Sequence, residues 1–108
     1  MATYIGYFGQ TETWITLRDQ KIMSGEWESS SIPDPDLQVK VREFPGFLES
    51  IGVKLIGSYV PVGQPLNETP GIMIIETDDP ANLQQIMFYY MPYLTYSFSL
   101  YQPVPRPI

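Results

Sequence analysis

Two adjacent carboxylates follow an apolar stretch within GIMIIETDDPANLQQIMFYYMP, residues 71–92. Asp78 and Asp79, paired at the end of a predicted strand, could hold a metal ion or run acid–base chemistry. The same letters also suit a strand that turns into a helix, because Asp is a preferred helix N-cap and Pro80 is favoured at the first helical position. A metal would need further oxygen ligands, which the sequence does not supply. We therefore predict a helix start capped by Asp79, and no metal site.

Glu76 is the acid that stays on the predicted strand, on the same face as Ile72 and Ile74. At the edge of an enclosed apolar space, desolvation would raise its pKa and make it a general base. The alternative is a solvated glutamate at the end of a strand. Both interpretations stay open on the sequence alone.

The absence of two residue types narrows the possible chemistry. The chain has no His and no Cys among its 108 residues. A Ser-His-Asp relay, His-ligated zinc, proximal-His haem, disulfides and thiol chemistry are therefore excluded. We predict no cofactor, and we expect any catalysis to use carboxylates, Tyr, Lys or backbone groups. A chain without cysteine also suits the cytosol.

The net charge disfavours two classes of partner. The formal charge is −6, with only six Lys and Arg residues, whereas nucleic-acid binding depends on cations that neutralise phosphates. An acidic chain is likewise not attracted to an anionic membrane. No apolar run approaches the roughly 20 residues that span a bilayer, and the first residues lack a secretory pattern. We expect a cytoplasmic protein with no nucleic-acid or membrane partner.

Hydrophobic periodicity predicts one α+β domain over residues 1–108. Strands are predicted at 3–9, 53–63, 72–77 and 94–103, and helices at 35–51 and 80–91. Asp34 is predicted to cap the first helix, whose apolar face carries Leu37, Val41, Phe44, Leu48 and Ile51. In the second strand, alternation places Val53, Leu55, Gly57 and Tyr59 on one face. The order βαββαβ is that of a ferredoxin-like antiparallel sheet. Pro45 lies inside the first predicted helix, so we expect a kink or two short helices ending at Gly52.

Two segments fall outside this pattern. Residues 10–34 follow the first strand and are predicted to be an insertion or lid, with a short helix that stops near Gly25. Residues 103–108 are predicted to be an extended, proline-rich tail. The strands at 3–9 and 72–77 are apolar on both faces, so the sheet needs a second cover. A second copy of the sheet would supply it, and we predict a homodimer.

Residues 52–104 resemble a known family. The sequence GVKLIGSYVPVG, followed by the ETDD strand-to-helix turn and a closing aromatic strand, is similar to a family of short proteins of unknown function. That family lies in the dimeric α+β barrel superfamily, with muconolactone isomerases and cofactor-free monooxygenases. The resemblance implies the fold and a dimer. The chain departs from the family in the length of residues 10–34, and at 58–60, where the family has an Arg-aromatic-His-like stretch.

The candidate site follows from these elements. Glu76 and Tyr59 are the predicted catalytic residues. The predicted ligand-binding residues, on strands that could line a barrel or on the insertion over its mouth, are Trp14, Lys54, Ser58, Ser97, Ser99 and Tyr101. The alternative for the strand residues is a solvated edge.

The predicted function is binding of a small apolar or aromatic molecule between sheet and helices. The resemblance extends this to a cofactor-free isomerase or monooxygenase. A non-enzymatic sensor or protein-interaction module is the alternative.

Overall fold

The computed structural model describes residues 1–28, 34–64 and 68–104. Four strands and three helices follow one another along this part of the chain. Their bounds are β1 Ala2–Gln10, α1 Glu12–Met23, α2 Pro35–Ser50, β2 Lys54–Tyr59, β3 Gly71–Thr77, α3 Ala81–Tyr89 and β4 Leu94–Tyr101. None of the helices in the described ranges is both long and apolar enough to cross a bilayer.

The strands form one four-stranded sheet in the order β2-β3-β1-β4. Each neighbouring pair is antiparallel. The prediction of an α+β fold with an antiparallel sheet is therefore confirmed. β1 and β3 occupy the two central positions, in agreement with their uninterrupted apolar sequences.

The two faces of the sheet have different surroundings. The helix face, which we define as the face that meets the helices, contributes the strand residues Phe8, Met73, Ile75 and Tyr96 to the hydrophobic core. The helices and the residues that directly follow them complete that core: Trp14, Leu37, Phe44, Leu48, Val53, Ile86 and Tyr90. The opposite side, the open face, consists of the alternate strand residues, and no residue on it belongs to the core cluster of the described chain.

α2 runs without interruption from Pro35 to Ser50, so the predicted division into two short helices at Pro45 is wrong, and the predicted kink stays a prediction. Buried side chains anchor the helix on both sides of the proline, with Phe44 before it and Leu48 after it. Pro45 itself is exposed. The helix begins at the predicted cap, because the Asp34 carboxylate accepts a hydrogen bond from Asp36 N at 2.8 Å. Gly52, with φ of +76°, follows its end as predicted.

α1 occupies much of the segment predicted to be an insertion, and the short helix expected there is confirmed. Thr11 caps it by accepting a hydrogen bond from Trp14 N at 3.1 Å. Gly25, with φ of +81°, lies just beyond its end. The predicted apolar stripe is only partly buried, because Trp14 is in the core while Leu17 is exposed. Residues 29–33 lie outside the described part of the chain.

The turn from β3 to α3 is structural. The Asp79 carboxylate accepts a hydrogen bond from Ala81 N at 2.9 Å, but the N-cap residue of α3 is Pro80, so the predicted capping position of Asp79 is one residue too early. The helix begins at Ala81, one residue later than the prediction that placed Pro80 inside it. Beneath the turn, the buried Asn82 side chain donates to Thr77 Oγ1 at 2.8 Å. This pair ties the start of α3 to the end of β3.

Candidate functional site

A cleft of about 550 Å³ lies between the helix face of the sheet and α2. Its sheet side is formed by Phe8, Gln10, Leu94 and Tyr96. Its helix side is formed by Leu37, Val41, Phe44, Pro45 and Tyr90. Its rim is formed by β2 and the segment after it, through Ser58, Val60, Pro61 and Gln64. We refer to this space as the cleft.

Aromatic rings in mutual contact form one wall of the cleft. The rings of Tyr90 and Tyr96 stack with 5.9 Å between centroids and 23° between planes. Phe44 lies 5.0 Å from Tyr90, and Phe8 lies 5.3 Å from Tyr96. Each ring is thus fixed by neighbours, which makes the wall preformed rather than adaptable.

Gly71 makes room for this wall. It pairs with Phe8 across β1 and β3, and the Phe8 ring lies over its Cα, so a Cβ there would collide with the ring. A glycine is needed at this position because of the close approach of the ring, not because of its backbone angles.

A β-bulge in β2 decides which of its residues meets the cleft. Leu55 pairs with Ile75, but Gly57 pairs with Ile74, so the register shifts between Leu55 and Gly57. As a result Ser58, opposite the helix-face residue Met73, lines the cleft. The sequence prediction that Leu55, Gly57 and Tyr59 share one face is wrong, because strict alternation cannot anticipate the extra residue of a bulge.

Two of the cleft tyrosines are almost fully buried. Tyr90 is 4% exposed and Tyr96 is 8% exposed. Burial raises the pKa of both phenols well above the ordinary tyrosine value of 10.0, and the proximity of Tyr89 to Tyr90 and of Tyr90 to Tyr96 adds to the shift. Both hydroxyls therefore remain protonated at neutral pH.

The described residues that line the cleft carry no formal charge. None of the lining side chains in the described ranges is Asp, Glu, Lys or Arg. One of the lining residues is hydrogen-bonded to a cation outside the lining: Arg18 Nη1 donates to Gln10 Oε1 at 3.1 Å. Arg18 is itself paired with Asp19, 3.2 Å away. At the rim, Thr69 Oγ1 donates to Gln64 Oε1.

The structure places most predicted site residues away from the cleft. Only Ser58 of the eight lines it. Register with open-face neighbours puts six others on the open face: Lys54, Tyr59, Glu76, Ser97, Ser99 and Tyr101. Their assignment as catalytic or ligand-binding residues stays a prediction. It now concerns the open face, which the predicted second sheet would cover.

Glu76 and Lys54 are brought together within this set. They are cross-strand partners in β3 and β2, and Glu76 also pairs in register with Thr3 of β1. Tyr59, five residues after Lys54 in β2, pairs with Ile72 and is 61% exposed. At the other edge of the face, the hydroxyls of Tyr7 and Tyr101 lie 3.4 Å apart, and this hydrogen bond raises the pKa of Tyr7.

Trp14 lies neither in the lining of the cleft nor on the open face. Its ring is 3% exposed and packs against Trp27 at 5.7 Å and against the edge of Tyr93 at 5.3 Å between centroids. Its Nε1 has no hydrogen-bond partner among the described residues. Trp14 therefore anchors α1 onto the domain, in keeping with the predicted anchoring of the inserted segment, but it does not line the cleft.

The acids that first suggested a metal site do not converge. Asp78 is 81% exposed by side chain, and its Oδ1 lies 3.6 Å from the N-terminal amino group. Asp79 accepts a hydrogen bond from Ala81 N at the start of α3. Within residues 1–28, 34–64 and 68–104 there is no group of three acids that could hold a metal ion.

The sequence interpretation missed the residues that build the cleft. Val41, Phe44 and Leu37 were recognised as one helical face, yet Val41 is 40% exposed and borders empty space instead of core. The one sequence feature that could have pointed to the cleft is Pro45, which lies on the same side of α2 as Val41 and is exposed. Gln10 and Gln64 gave no signal, since neither lies in a recognisable motif.

Comparisons with family models, with curated proteins and with solved structures give no match for this chain.

Proposed function

We infer that the chain binds a small apolar or aromatic molecule in the cleft between the sheet and α2. The observation that carries this inference is the cleft itself, about 550 Å³ in volume and walled by Phe8, Phe44, Tyr90 and Tyr96. Ligand sites in proteins are typically 300–1,000 Å³ and mostly apolar, with a few polar groups that fix orientation. The cleft has both properties.

The lining favours binding over acid–base catalysis within the cleft. Its described residues offer no carboxylate or amine, and the phenols of Tyr90 and Tyr96 stay protonated at neutral pH. A general base should have a pKa near the working pH. This supports the second candidate, a non-enzymatic sensor or interaction module. An isomerase or oxygenase would need a contribution from Glu76 and Tyr59 on the open face.

We also propose that the fold is ferredoxin-like and that two copies pair through their open faces, as in a dimeric α+β barrel. The strand order β2-β3-β1-β4 with antiparallel neighbours supports the first part. Exposed or half-buried apolar residues on the open face support the second, namely Ile5, Tyr7, Tyr59, Ile72, Ile74 and Tyr101. Pairing would enclose Glu76 and Tyr59 between two sheets. Light scattering should then give twice the 12.4 kDa mass of one chain.

Obstruction of the cleft tests the binding function. Val41 borders the cleft and is 40% exposed, so Val41→Trp should fill the space without strain in the core. Val39 is 41% exposed on the same helix and does not border the cleft, so Val39→Trp is a matched control. The probe is N-phenyl-1-naphthylamine, a neutral dye whose emission rises in apolar surroundings.

We expect Val41→Trp to weaken dye binding at least about tenfold, since bulk in a filled site costs more than 1.4 kcal/mol. Val39→Trp should bind as the unmodified chain does. Equal binding by both variants would show that the dye, and therefore the proposed ligand, does not occupy the cleft.

A further inference from the structure

The polar side chains of the cleft form a set of hydrogen-bond donors without charge. Tyr90 and Tyr96 line the cleft, and within the described residues neither hydroxyl has a hydrogen-bond partner. Both side chains are more than nine-tenths buried. Among the described residues no tyrosine hydroxyl is a buried atom without a partner, so both hydroxyls open into the cleft, where a ligand that supplied an acceptor would replace their bond to water.

The two glutamines of the cleft contribute donors as well. The Gln10 amide oxygen is occupied by Arg18 Nη1, which can only donate, so the orientation of this amide is fixed. The Gln64 oxygen accepts from Thr69. Within the described residues each amide therefore has its NH₂ group left for a molecule in the cleft, while its oxygen already accepts one hydrogen bond.

The absence of charge complements this donor set. The Arg18 guanidinium is bound to Gln10 and Asp19 and does not line the cleft. An anionic ligand would therefore lose its hydration with no cation to replace it. The net charge of −6 adds a general repulsion of anions.

From these observations we propose that the cleft selects an uncharged, planar apolar molecule bearing carbonyl-type oxygen, and rejects the corresponding carboxylate. The oxygen is received by the donors of Tyr90, Tyr96 and Gln10, and the ring system packs against Phe8 and Phe44. This specificity rests on the proposed function, because it assumes that the cleft is a ligand site.

Three naphthalene probes of similar size separate the contribution of the hydrogen-bond acceptor from the effect of charge. They are 2-acetonaphthone, which is neutral and carries a carbonyl oxygen, 2-naphthoate, which is ionised, and 2-ethylnaphthalene, which has no acceptor. Calorimetric titration of the full chain at pH 7.5 should rank the ketone first. We expect the hydrocarbon to bind about threefold to tenfold more weakly for each hydrogen bond that it lacks. The naphthoate should bind at least about tenfold more weakly than the ketone.

Removal of single hydroxyls locates the donors. Tyr96→Phe and Tyr90→Phe should each weaken ketone binding about threefold to tenfold and change hydrocarbon binding less than about twofold. Tyr4→Phe is the matched control, because Tyr4 packs against the same core on the same face but does not border the cleft. It should leave the binding of all three probes unchanged. Thermal unfolding of each variant verifies that it remains folded.

The outcomes distinguish this inference from the proposed function. If the hydrocarbon binds and the ketone has no advantage, or if naphthoate binds as tightly as the ketone, the donor specificity is overturned and the cleft remains a ligand site. An equal loss in Tyr4→Phe and Tyr96→Phe has the same meaning. If none of the probes binds the unmodified chain, the ligand site fails and this inference fails with it.

Discussion

The two faces of the sheet carry comparable apolar side chains in opposite surroundings. On the helix face, Met73 and Ile75 are 1% and 0% exposed and pack beneath the helices. On the open face, Ile72 and Ile74 occupy the alternate positions of the same strand, and Ile72 is 36% exposed. β3 thus has four consecutive apolar residues, of which only half find their burial within the described chain.

The difference shows that apolar sequence marks a surface to be covered but does not say what covers it. Helices cover the helix face incompletely, and the remaining space is the cleft. The open face has no described cover, and a second sheet is our proposal for it. In our two proposals, the apolar surface on the two sides of one sheet serves different partners, a ligand on one side and a copy of the chain on the other.

Neighbouring isoleucines provide the largest test of this comparison. Ile75→Asp would bury an unpaired carboxylate in the core, so we expect loss of the folded state at 25 °C, a cost above about 4 kcal/mol. Ile74→Asp, one residue earlier, should keep the fold and break the dimer. Circular dichroism reports the first effect and light scattering the second. A folded Ile75→Asp variant would contradict the assignment of the two faces.

The dimer has its own contradicting result. If Ile74→Asp is folded and has the same mass as the unmodified chain, the open face is not the surface through which copies pair. Ile74→Ser is the control, since it shortens the side chain without introducing charge and should weaken the dimer less than Asp does.

Substitutions of two glycines test the same difference between the two faces, with smaller expected effects on stability. A Cβ at Gly71 would collide with the buried ring of Phe8, whereas a Cβ at Gly57 would meet Tyr59 Oη at 2.9 Å. Phe8 is held in the core, but Tyr59 is exposed and free to swing away. We expect Gly71→Ala to lower the free energy of unfolding by about 1–3 kcal/mol, and Gly57→Ala by less than about 1 kcal/mol. Urea denaturation measures both.

Displacement of the Phe8 ring should also change ligand binding in the cleft. Because Phe8 lines it, Gly71→Ala should weaken binding of the neutral naphthylamine dye, while Gly57→Ala should not. Equal stability of the two variants would mean that Phe8 relaxes as easily as Tyr59 and that the cleft wall is not rigid.

The sequence predicts the parts of this fold that depend on local chemistry. The Asp34 cap, the glycine stop at Gly52 and the strand at 72–77 follow from side-chain preferences and periodicity, and the structure agrees with them. Pro45 does not divide α2, because the local cost of an interior proline is outweighed by the burial of Phe44 and Leu48, a tertiary effect.

The candidate site is less accessible to sequence reasoning. The bulge in β2 reverses the facing of Ser58 and Tyr59, and no alternation rule reveals it. The cleft exists because α2 leaves space above Phe8 and Tyr96. No sequence motif indicates such an empty space, because it depends on how the helix packs against the sheet. Glu76 attracted attention as an isolated acid on an apolar strand, and the structure gives it Lys54 as a cross-strand partner on the open face.

The smallest expected effect concerns pH and the buried tyrosines. Burial raises the folded-state pKa of Tyr96 above the value of 10.0 that holds in the unfolded chain. Its contribution to stability is therefore complete below pH 10 and decreases as the pH rises above 10, because only the unfolded chain then releases the proton. The decrease is at most about 1.4 kcal/mol per pH unit for one group.

Tyr96→Phe removes this proton, so its free energy of unfolding should fall less steeply between pH 10 and pH 11 than that of the unmodified chain. Urea denaturation at several pH values measures the two slopes. If Tyr96→Phe leaves the slope unchanged, the phenol of Tyr96 is not shielded by burial. The protonated donor that we assign to the cleft would then lose its physical basis above neutral pH.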